Sequence, residues 1–379
     1  MPNTVKSLKV TYDPPNDTNT FTSGECISGK VTLEVEKELQ IDSLIIKFKG
    51  KSRVLWTERY GQVTVVYHSK DKYFSIKHYF VQDKNHKEED HDQTQLTNEN
   101  KGNYSNVVGP GCHVYPFTFQ FPQKEMPSSF KASTGKIVYL LEASLGRSMR
   151  IDKKDSTKIN FVSNADMTRD PGIMVPQHES KDKKLKHFAS GTVAMDVNIE
   201  KTGYFQGEGL KVVACIQNNS SREIKPKYCV YRKHSFFADG RRRLHTKDLL
   251  KEVGEPIPPS TNKNVERVIT IPHDMEPSIL NCSNIKAEYR LRVYLDIKFA
   301  SDPEIKFPII ILPASQAPAV GPPPAFAGIG FETFCNPNPP VWGVAPPQQP
   351  TAPQPFDPPP SYGAYAMYPP LTDYNNKHH

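Results

Sequence analysis

The chain has 379 residues, with 48 Lys and Arg against 41 Asp and Glu for a formal charge of +7, and 37% of its residues are hydrophobic. That length fits two or three domains. Its longest apolar runs, such as residues 309–312, fall far short of the ~20 residues a membrane-spanning helix needs, and the opening Met1-Pro2-Asn3-Thr4-Val5-Lys6 lacks a signal-peptide pattern, so a soluble, cytosolic chain is expected.

From the N-terminus onward, short segments alternate apolar and polar residues with period two, the signature of half-buried antiparallel strands. Such segments run over residues 5–12, 29–35, 44–49 and 63–68. Residues 82–103 break the pattern with charge and amide around a lone Leu96 and are expected to form a surface loop. Strands resume at 116–121 and 136–145, and Pro171-Gly172, Pro176 and a run of charge interrupt the alternation over 162–187, the expected hinge. Beyond it, Val193, Met195, Val197 and Ile199 share one face, as do Leu210, Val212, Ala214 and Ile216, and then Leu291, Val293, Leu295 and Ile297. Residues 313–379 hold 18 of the 35 prolines and four charged residues. Such a segment cannot bury enough apolar surface to offset the entropy of ordering it, so a disordered tail with polyproline II stretches is expected.

An internal repeat sets the domain count. Gly24-Glu25-x-Ile27-x-x-x-Val31-x-Leu33 matches Gly207-Glu208-x-Leu210-x-x-x-Ala214-x-Ile216 at an offset of 183. Phe119-Gln120-Phe121-Pro122 matches Ile269-Thr270-Ile271-Pro272 at an offset of 150. Pro127-Ser128 matches Pro277-Ser278, and Tyr139-x-Leu141-x-Ala143-x-Leu145 matches Tyr289-x-Leu291-x-Val293-x-Leu295, at that same offset. The fold expected is all-β: a β-sandwich over 1–165, a linker over 166–186, a second sandwich over 187–312 and the tail over 313–379.

Several of these stretches resemble a known family. Ser23-Gly24-Glu25 leading into Ile27-Ser28-Gly29-Lys30-Val31 resembles the opening of the arrestin domain-containing proteins, the α-arrestins. Lys201-Thr202-Gly203-Tyr204-Phe205-Gln206-Gly207-Glu208, with Asn218-Asn219-Ser220-Ser221-Arg222 after it, resembles the start of their second domain. Most specific is Pro277-Ser278-Ile279-Leu280-Asn281-Cys282 running into Tyr289-x-Leu291-x-Val293-Tyr294-x-Asp296-Ile297. The resemblance covers roughly residues 5–312. It implies two immunoglobulin-like arrestin sandwiches, no catalysis, and an adaptor in the cytoplasm that is recruited peripherally to plasma membrane and endosomes. In one branch of that family a Cys of the second domain bonds to thioredoxin; the approximate counterpart here, residues 251–265, contains no Cys, and no thioredoxin trapping is expected.

The tail carries short motifs. Pro359-Pro360-Ser361-Tyr362 fits Pro-Pro-x-Tyr, the ligand of WW domains: the prolines already sit in polyproline II, so little entropy is lost in an aromatic-lined groove, and Tyr362 fills a second pocket. Behind an arrestin-like body this motif implies docking of WW-containing HECT ubiquitin ligases. A second such motif is absent, since Pro369-Pro370-Leu371-Thr372-Asp373-Tyr374 displaces the tyrosine by two positions. Pro350-Thr351-Ala352-Pro353 fits the motif read by the UEV domain of an endosomal sorting complex.

Charge supplies the remaining candidates. Arg241-Arg242-Arg243 and the run Lys181-x-Lys183-Lys184-x-Lys186 are the densest basic clusters, suited to an acidic cargo tail or anionic lipid or else to plain solvated loop charge. Nucleic acid fits less well, because no aromatic platform interleaves the cations. Six cysteines without a Cys-x-x-Cys pair suit neither a disulfide framework nor zinc. The sequence has no nucleophile elbow, phosphate loop or metalloprotease helix, so neither an enzyme nor a cofactor is expected. The adaptor reading has one rival, a coat-like endosomal scaffold that recruits no ligase.

Overall fold

The computed structural model describes residues 4–82, 104–164, 170–185, 190–314 and 317, all within a unit spanning Met1–Ala319. The first lobe contains β1 (Val5–Tyr12), β2 (Thr20–Phe21), β3 (Cys26–Val35), β4 (Leu39–Gln40), β5 (Ser43–Tyr60), β6 (Val63–Gln82), β7 (Val107–Val108), β8 (Gly111–Gln120), β9 (Phe130–Lys131), β10 (Gly135–Arg147) and β11 (Arg150–Phe161). The second contains β12 (Gln177–Lys184), β13 (Gly191–Ile199), β14 (Gly203–Phe205), β15 (Gly209–Ser220), β16 (Ile224–Ala238), β17 (Arg241–Val253), β18 (Thr261–Thr270), β19 (Ile285–Ile297) and β20 (Glu304–Leu312). In the first lobe the sheet β1-β3-β8 faces the sheet β2-β11-β10-β5-β6, and in the second β12-β13-β15-β18 faces β14-β20-β19-β16-β17. Two arrestin-type β-sandwiches in series are thus the observed architecture. The loop expected over residues 82–103 lies outside the described residues from 83 onward, and the tail expected over 313–379 lies outside them apart from 313, 314 and 317.

Alternation explains most strands and also where it fades. Along β5, Leu44, Ile46, Phe48, Val54 and Trp56 point inward and are buried. The two inward positions between Phe48 and Val54 are Gly50 and Ser52. Glycine is required at the first of these, because a Cβ on Gly50 would lie 2.7 Å from ring carbons of Phe74 and Tyr139. The apolar signal therefore stops near residue 49 while the strand continues to Tyr60. Around this point the first core is aromatic: the Phe48 ring lies 4.7 Å from Phe74 and from Phe121, and Tyr139 lies 4.6 Å from Phe161. Such ring pairs add about 0.5–1.5 kcal/mol beyond the area they bury. The second core is largely aliphatic, built from β13, β15 and β19.

The sequence repeat is a structural repeat with a mechanical role. Glu25 Oε2 accepts the amide of Thr22 at 2.7 Å, and Glu208 Oε2 accepts that of Phe205 at 2.8 Å. The preceding glycines, Gly24 and Gly207, have φ of 84° and 86°, a left-handed turn conformation in which a Cβ is strained. Each turn follows a short strand in parallel pairing, β2 with β11 and β14 with β20, and leads into the long strand β3 or β15. Tyr139 donates its hydroxyl to the Pro127 carbonyl at 2.7 Å, and Tyr289 donates to the Glu276 carbonyl at 2.6 Å. Both rings are fully buried.

One expectation needs correction. Residues 166–186 are not a bare linker, because Gln177–Lys184 form β12, paired along its length with β13 of the second sandwich. Ahead of it, a short 3-10 turn at Pro171–Met174 buries Ile173 against Phe205 and Leu312. β12 is a sheet edge whose side chains are mostly exposed on both faces. Nothing selects apolar residues at alternate positions there, and lysines protect such an edge from pairing with another chain.

The lobes meet through a buried seam. Phe236, Ala238, Ile279, Cys282, Ile285 and Ala287 of the second sandwich belong to the same apolar cluster as the core of the first. The Phe130 ring lies 5.0 Å from His234 and 6.4 Å from Phe236, and a Cβ on Gly135 would come 2.9 Å from the Phe236 ring. Polar bonds frame this contact. Asn284 Nδ2 donates to Ser69 Oγ at 3.1 Å, Ser283 Oγ donates to Asp71 at 2.8 Å, and the His68 amide donates to Asp239 at 3.0 Å. The Tyr73 hydroxyl sits 3.3 Å from Cys282 Sγ. Burial, with the neighbouring thiol adding, pushes the Tyr73 phenol well above its ordinary pKa. Cys282 is buried, as a small apolar-seam residue should be, whereas Cys26, Cys112 and Cys215 are exposed free thiols.

Two expectations are measurable. Tyr139→Phe and Tyr289→Phe each strand a buried carbonyl and should lower stability by about 1–2 kcal/mol, read from urea midpoints; unchanged midpoints would remove the hydroxyls from any supporting role. Phe236→Ala should destabilise by about 3–5 kcal/mol. A calorimetric loss below about 1 kcal/mol would mean the seam is not packed as a core.

Candidate functional site

The tail residues singled out by sequence, Pro350, Thr351, Ala352, Pro353, Pro359, Pro360 and Tyr362, lie outside the described residues. Of the basic clusters, Arg241–Arg243 and Lys181, Lys183 and Lys184 lie inside them and in strands rather than in loops, while Lys186 lies outside the described residues. Arg241, Arg242 and Arg243 open β17, the edge of the β14-β20-β19-β16-β17 sheet. Arg242 donates from Nε and Nη2 to the buried Ser235 hydroxyl at 3.2 and 2.7 Å, and its guanidinium lies 5.8 Å from the Phe237 ring. Glu58, on the β5–β6 hairpin of the first lobe, is within electrostatic reach of the other two arginines. Its carboxyl is held below the usual range by hydrogen bonds from Tyr60 and Trp56, and the charges of Arg243 and Arg241 add to this. The arginine run is therefore partly engaged at the junction of the lobes. Lys183 and Lys184 sit at the far end of β12, where the Lys183 ammonium donates to the Ser301 carbonyl and hydroxyl and Lys184 is exposed. β12 and β17 belong to different sheets of the second sandwich, so the two clusters do not share a sheet face.

A larger basic feature escaped the sequence reading. The outward positions of β5 are Lys47, Lys49, Lys51 and Arg53, alternating with the buried side of the strand. Register aligns cations from neighbouring strands beside them. Lys47 stands beside Lys77 and Glu142, Lys51 beside Lys72 and Val138, and Arg53 beside Lys70 and Lys136. Lys49 stands beside Leu140, whose partner on β11 is Lys158. Residues directly opposite in an antiparallel pair point to the same side of the sheet, so these charges form one face. Glu142 lies among them with its carboxylate 2.8 Å from Lys49. Burial pushes that carboxyl up, but the Lys49 hydrogen bond and the charges of Lys49, Lys154 and Lys47 outweigh it and hold it below its ordinary pKa. The Lys51 ammonium shows the opposite strain: burial, then the charges of Lys49, Lys70 and Lys136, push it below the ordinary lysine range, with Glu142 opposing. A signal was available in Lys47-Phe48-Lys49-Gly50-Lys51-Ser52-Arg53, where cations recur at every second position. It was read only for its apolar half.

The equivalent face of the second lobe is neutralised. There Lys227 pairs with Asp296 at 2.7 Å, Lys233 with Glu288 at 3.9 Å, and Arg292 with Asp248 and Glu304 at 3.8 and 3.9 Å. The Arg292 guanidinium also lies 4.9 Å from the Tyr294 ring. Like-placed strands thus place acids beside their cations in the second lobe, whereas in register the β5 cations of the first lobe stand mainly beside other cations.

Chemistry-bearing clusters are otherwise sparse. At the seam the buried His234 ring sits 3.4 Å from Glu276, which also takes Arg232 Nη1 at 2.5 Å, an arrangement that ties β16 to the turn before β19. Among the described residues no group of three or more His, Cys, Asp and Glu is placed to hold a metal ion, and no helix is long and apolar enough to cross a membrane.

Comparison with known proteins agrees with this geometry. A family model described as the arrestin (or S-antigen) N-terminal domain matches residues 8–168, and one for the arrestin C-terminal domain matches residues 189–316. β12 falls between the two matches. Arrestin domain-containing protein 4 of Mus musculus is 27% identical over 316 residues, covering 81% of this chain and 72% of that protein. Its Homo sapiens counterpart is 26% identical over 316 residues, covering 81% and 71%. Thioredoxin-interacting protein of Rattus norvegicus is 25% identical over 312 residues, covering 81% and 74%. No catalytic family is indicated. With an N-terminal and a C-terminal arrestin domain in series across its body, the chain belongs to the α-arrestins, the arrestin domain-containing family.

Proposed function

We propose that the chain is a trafficking adaptor. Its two lobes hold the cytosolic part of a membrane receptor or transporter, while Pro359-Pro360-Ser361-Tyr362 recruits a WW-containing HECT ubiquitin ligase. The observation that carries this reading is the joining, in one chain, of a packed two-lobe arrestin body to a proline-rich segment bearing that motif. The work is done by proximity: tethering raises the ligase's effective concentration at the cargo's lysines, and no catalytic group on this chain is needed. Ubiquitination then drives endocytosis and endosomal sorting, with Pro350-Thr351-Ala352-Pro353 as a second hook for a UEV domain. The protein acts in the cytoplasm and is recruited peripherally to plasma membrane and endosomes.

Edge strands offer the cargo a way to bind. Among the described residues β17 has a neighbour on one side alone, and an acidic cargo tail can add to its other side as a further strand, with Arg241 and Arg243 at its head. A single Pro-Pro-x-Tyr site lacks the avidity of two linked sites, so ligase capture depends on one tyrosine.

The test is binding of isolated WW domains to the full chain. Tyr362→Ala should weaken it at least about tenfold, the loss of one anchoring aromatic. Removing residues 313–379 should abolish cargo ubiquitination while cargo still co-precipitates. Unchanged WW binding in Tyr362→Ala would refute ligase recruitment through this motif, and retained ubiquitination after truncation would favour the coat-like scaffold.

A further inference from the structure

The outward face of β5, β6, β10 and β11 has no role in the adaptor reading beyond the general recruitment to membranes, and its charge pattern is unlike that of its counterpart in the second lobe. We propose that this face of the first lobe is a docking surface for an acidic phospholipid bilayer. The proposal deepens the peripheral recruitment described above and rests on that reading for the protein's presence at membranes.

Three features select a lipid surface. The first is dimensionality. Lys158, Lys49, Lys51, Lys70 and Lys136 are spread over four neighbouring strands, an array about 15 Å across with about 7 Å between successive outward positions along a strand. An extended acidic peptide presents one line of carboxylates and would meet one track of this array, whereas a plane of headgroup phosphates meets all of it. The second is the choice of cation. Apart from Arg53 these residues are lysines, compact point charges on flexible stems, without the rigid fork that suits a fixed carboxylate partner. Juxtamembrane lysines of this kind act additively on an anionic leaflet.

The third feature is the crowding of like charge around Lys51. The central acid, Glu142, pairs with Lys49 at 2.8 Å, and Lys51 stands in register between Lys72 and Val138, its ammonium disfavoured first by burial and then by the charges of Lys49, Lys70 and Lys136. Folding sets Lys49, Lys70 and Lys136 where their charges act on Lys51, and an external layer of negative charge offsets them. On the second lobe, the Lys227–Asp296 and Lys233–Glu288 pairs leave no comparable demand.

The experiment is co-sedimentation of the full chain with vesicles of phosphatidylcholine alone and of equal parts phosphatidylcholine and phosphatidylserine. Binding is expected to the mixed vesicles, to weaken steeply with added salt, and to fall about fivefold per lysine removed, so that a Lys51→Gln, Lys136→Gln, Lys158→Gln triple variant binds about 100-fold more weakly. Lys225→Gln with Lys306→Gln on the second lobe should bind as wild type. The triple variant should melt no lower than wild type, since it relieves repulsion, which separates lost binding from lost folding. Equal binding by wild type and triple variant, or no binding to the mixed vesicles, would overturn the proposal. So would a soluble acidic peptide that binds wild type and not the variant while vesicles do not distinguish them. WW-domain binding measured on the same proteins keeps the two readings apart, because it should be unchanged in the triple variant and lost in Tyr362→Ala.

Discussion

The apolar seam between the lobes is the contact on which the rest of the body depends. A β-sandwich needs only its own two sheets, and nothing in either repeat obliges the second copy to pack on the first. Here Phe236, Ile285 and Cys282 extend the first lobe's core across the junction, and Gly135 supplies the space for the Phe236 ring. The polar bonds from Ser69, Asp71 and His68 satisfy the backbone and side chains at its rim. Because the seam is buried, the two lobes present their outer faces and edge strands to partners in a fixed relation.

The outer faces diverge while the inner ones are kept. Both lobes retain the left-handed glycine, the glutamate that accepts the amide three residues earlier and the buried tyrosine bound to a carbonyl. These are covalent-geometry and hydrogen-bond constraints that any copy of the sandwich must meet. Outward side chains meet no such constraint. One lobe has filled them with Lys47, Lys49, Lys51 and Arg53, and the other with Lys227, Arg292 and their acidic partners. The difference is therefore where partner recognition can be written without disturbing the fold.

Strand periodicity made some elements plain and hid others for reasons visible in the structure. β1 is found over the same residues that alternate in sequence, and β13, β15 and β19 extend segments read correctly. The alternation along β5 breaks because Gly50 sits against Phe74 and Tyr139, where packing demands a small residue, and the next inward position is the polar Ser52. β12 and β17 were missed as strands because an edge exposed on both faces has no apolar half to display. Their lysines and arginines then read as loop charge. The cation ladder on β5 was overlooked because its significance depends on β6, β10 and β11 carrying matching cations in register, which no local pattern reveals.

By itself the sequence determined the all-β class, the duplication of a sandwich, the α-arrestin resemblance and the short motifs of the proline-rich segment, because each is written in local spacing or composition. Tertiary structure alone decided that the stretch from 177 to 184 joins the second sandwich, that the lobes share a core, that the charges of Arg241 and Arg243 reach Glu58 of the first lobe, and that one face gathers lysines from several strands. The physical reason is the same in each case. Strand pairing and sheet packing bring together residues separated by tens to hundreds of positions, and charge or burial at such a meeting point is a property of the pair rather than of either segment.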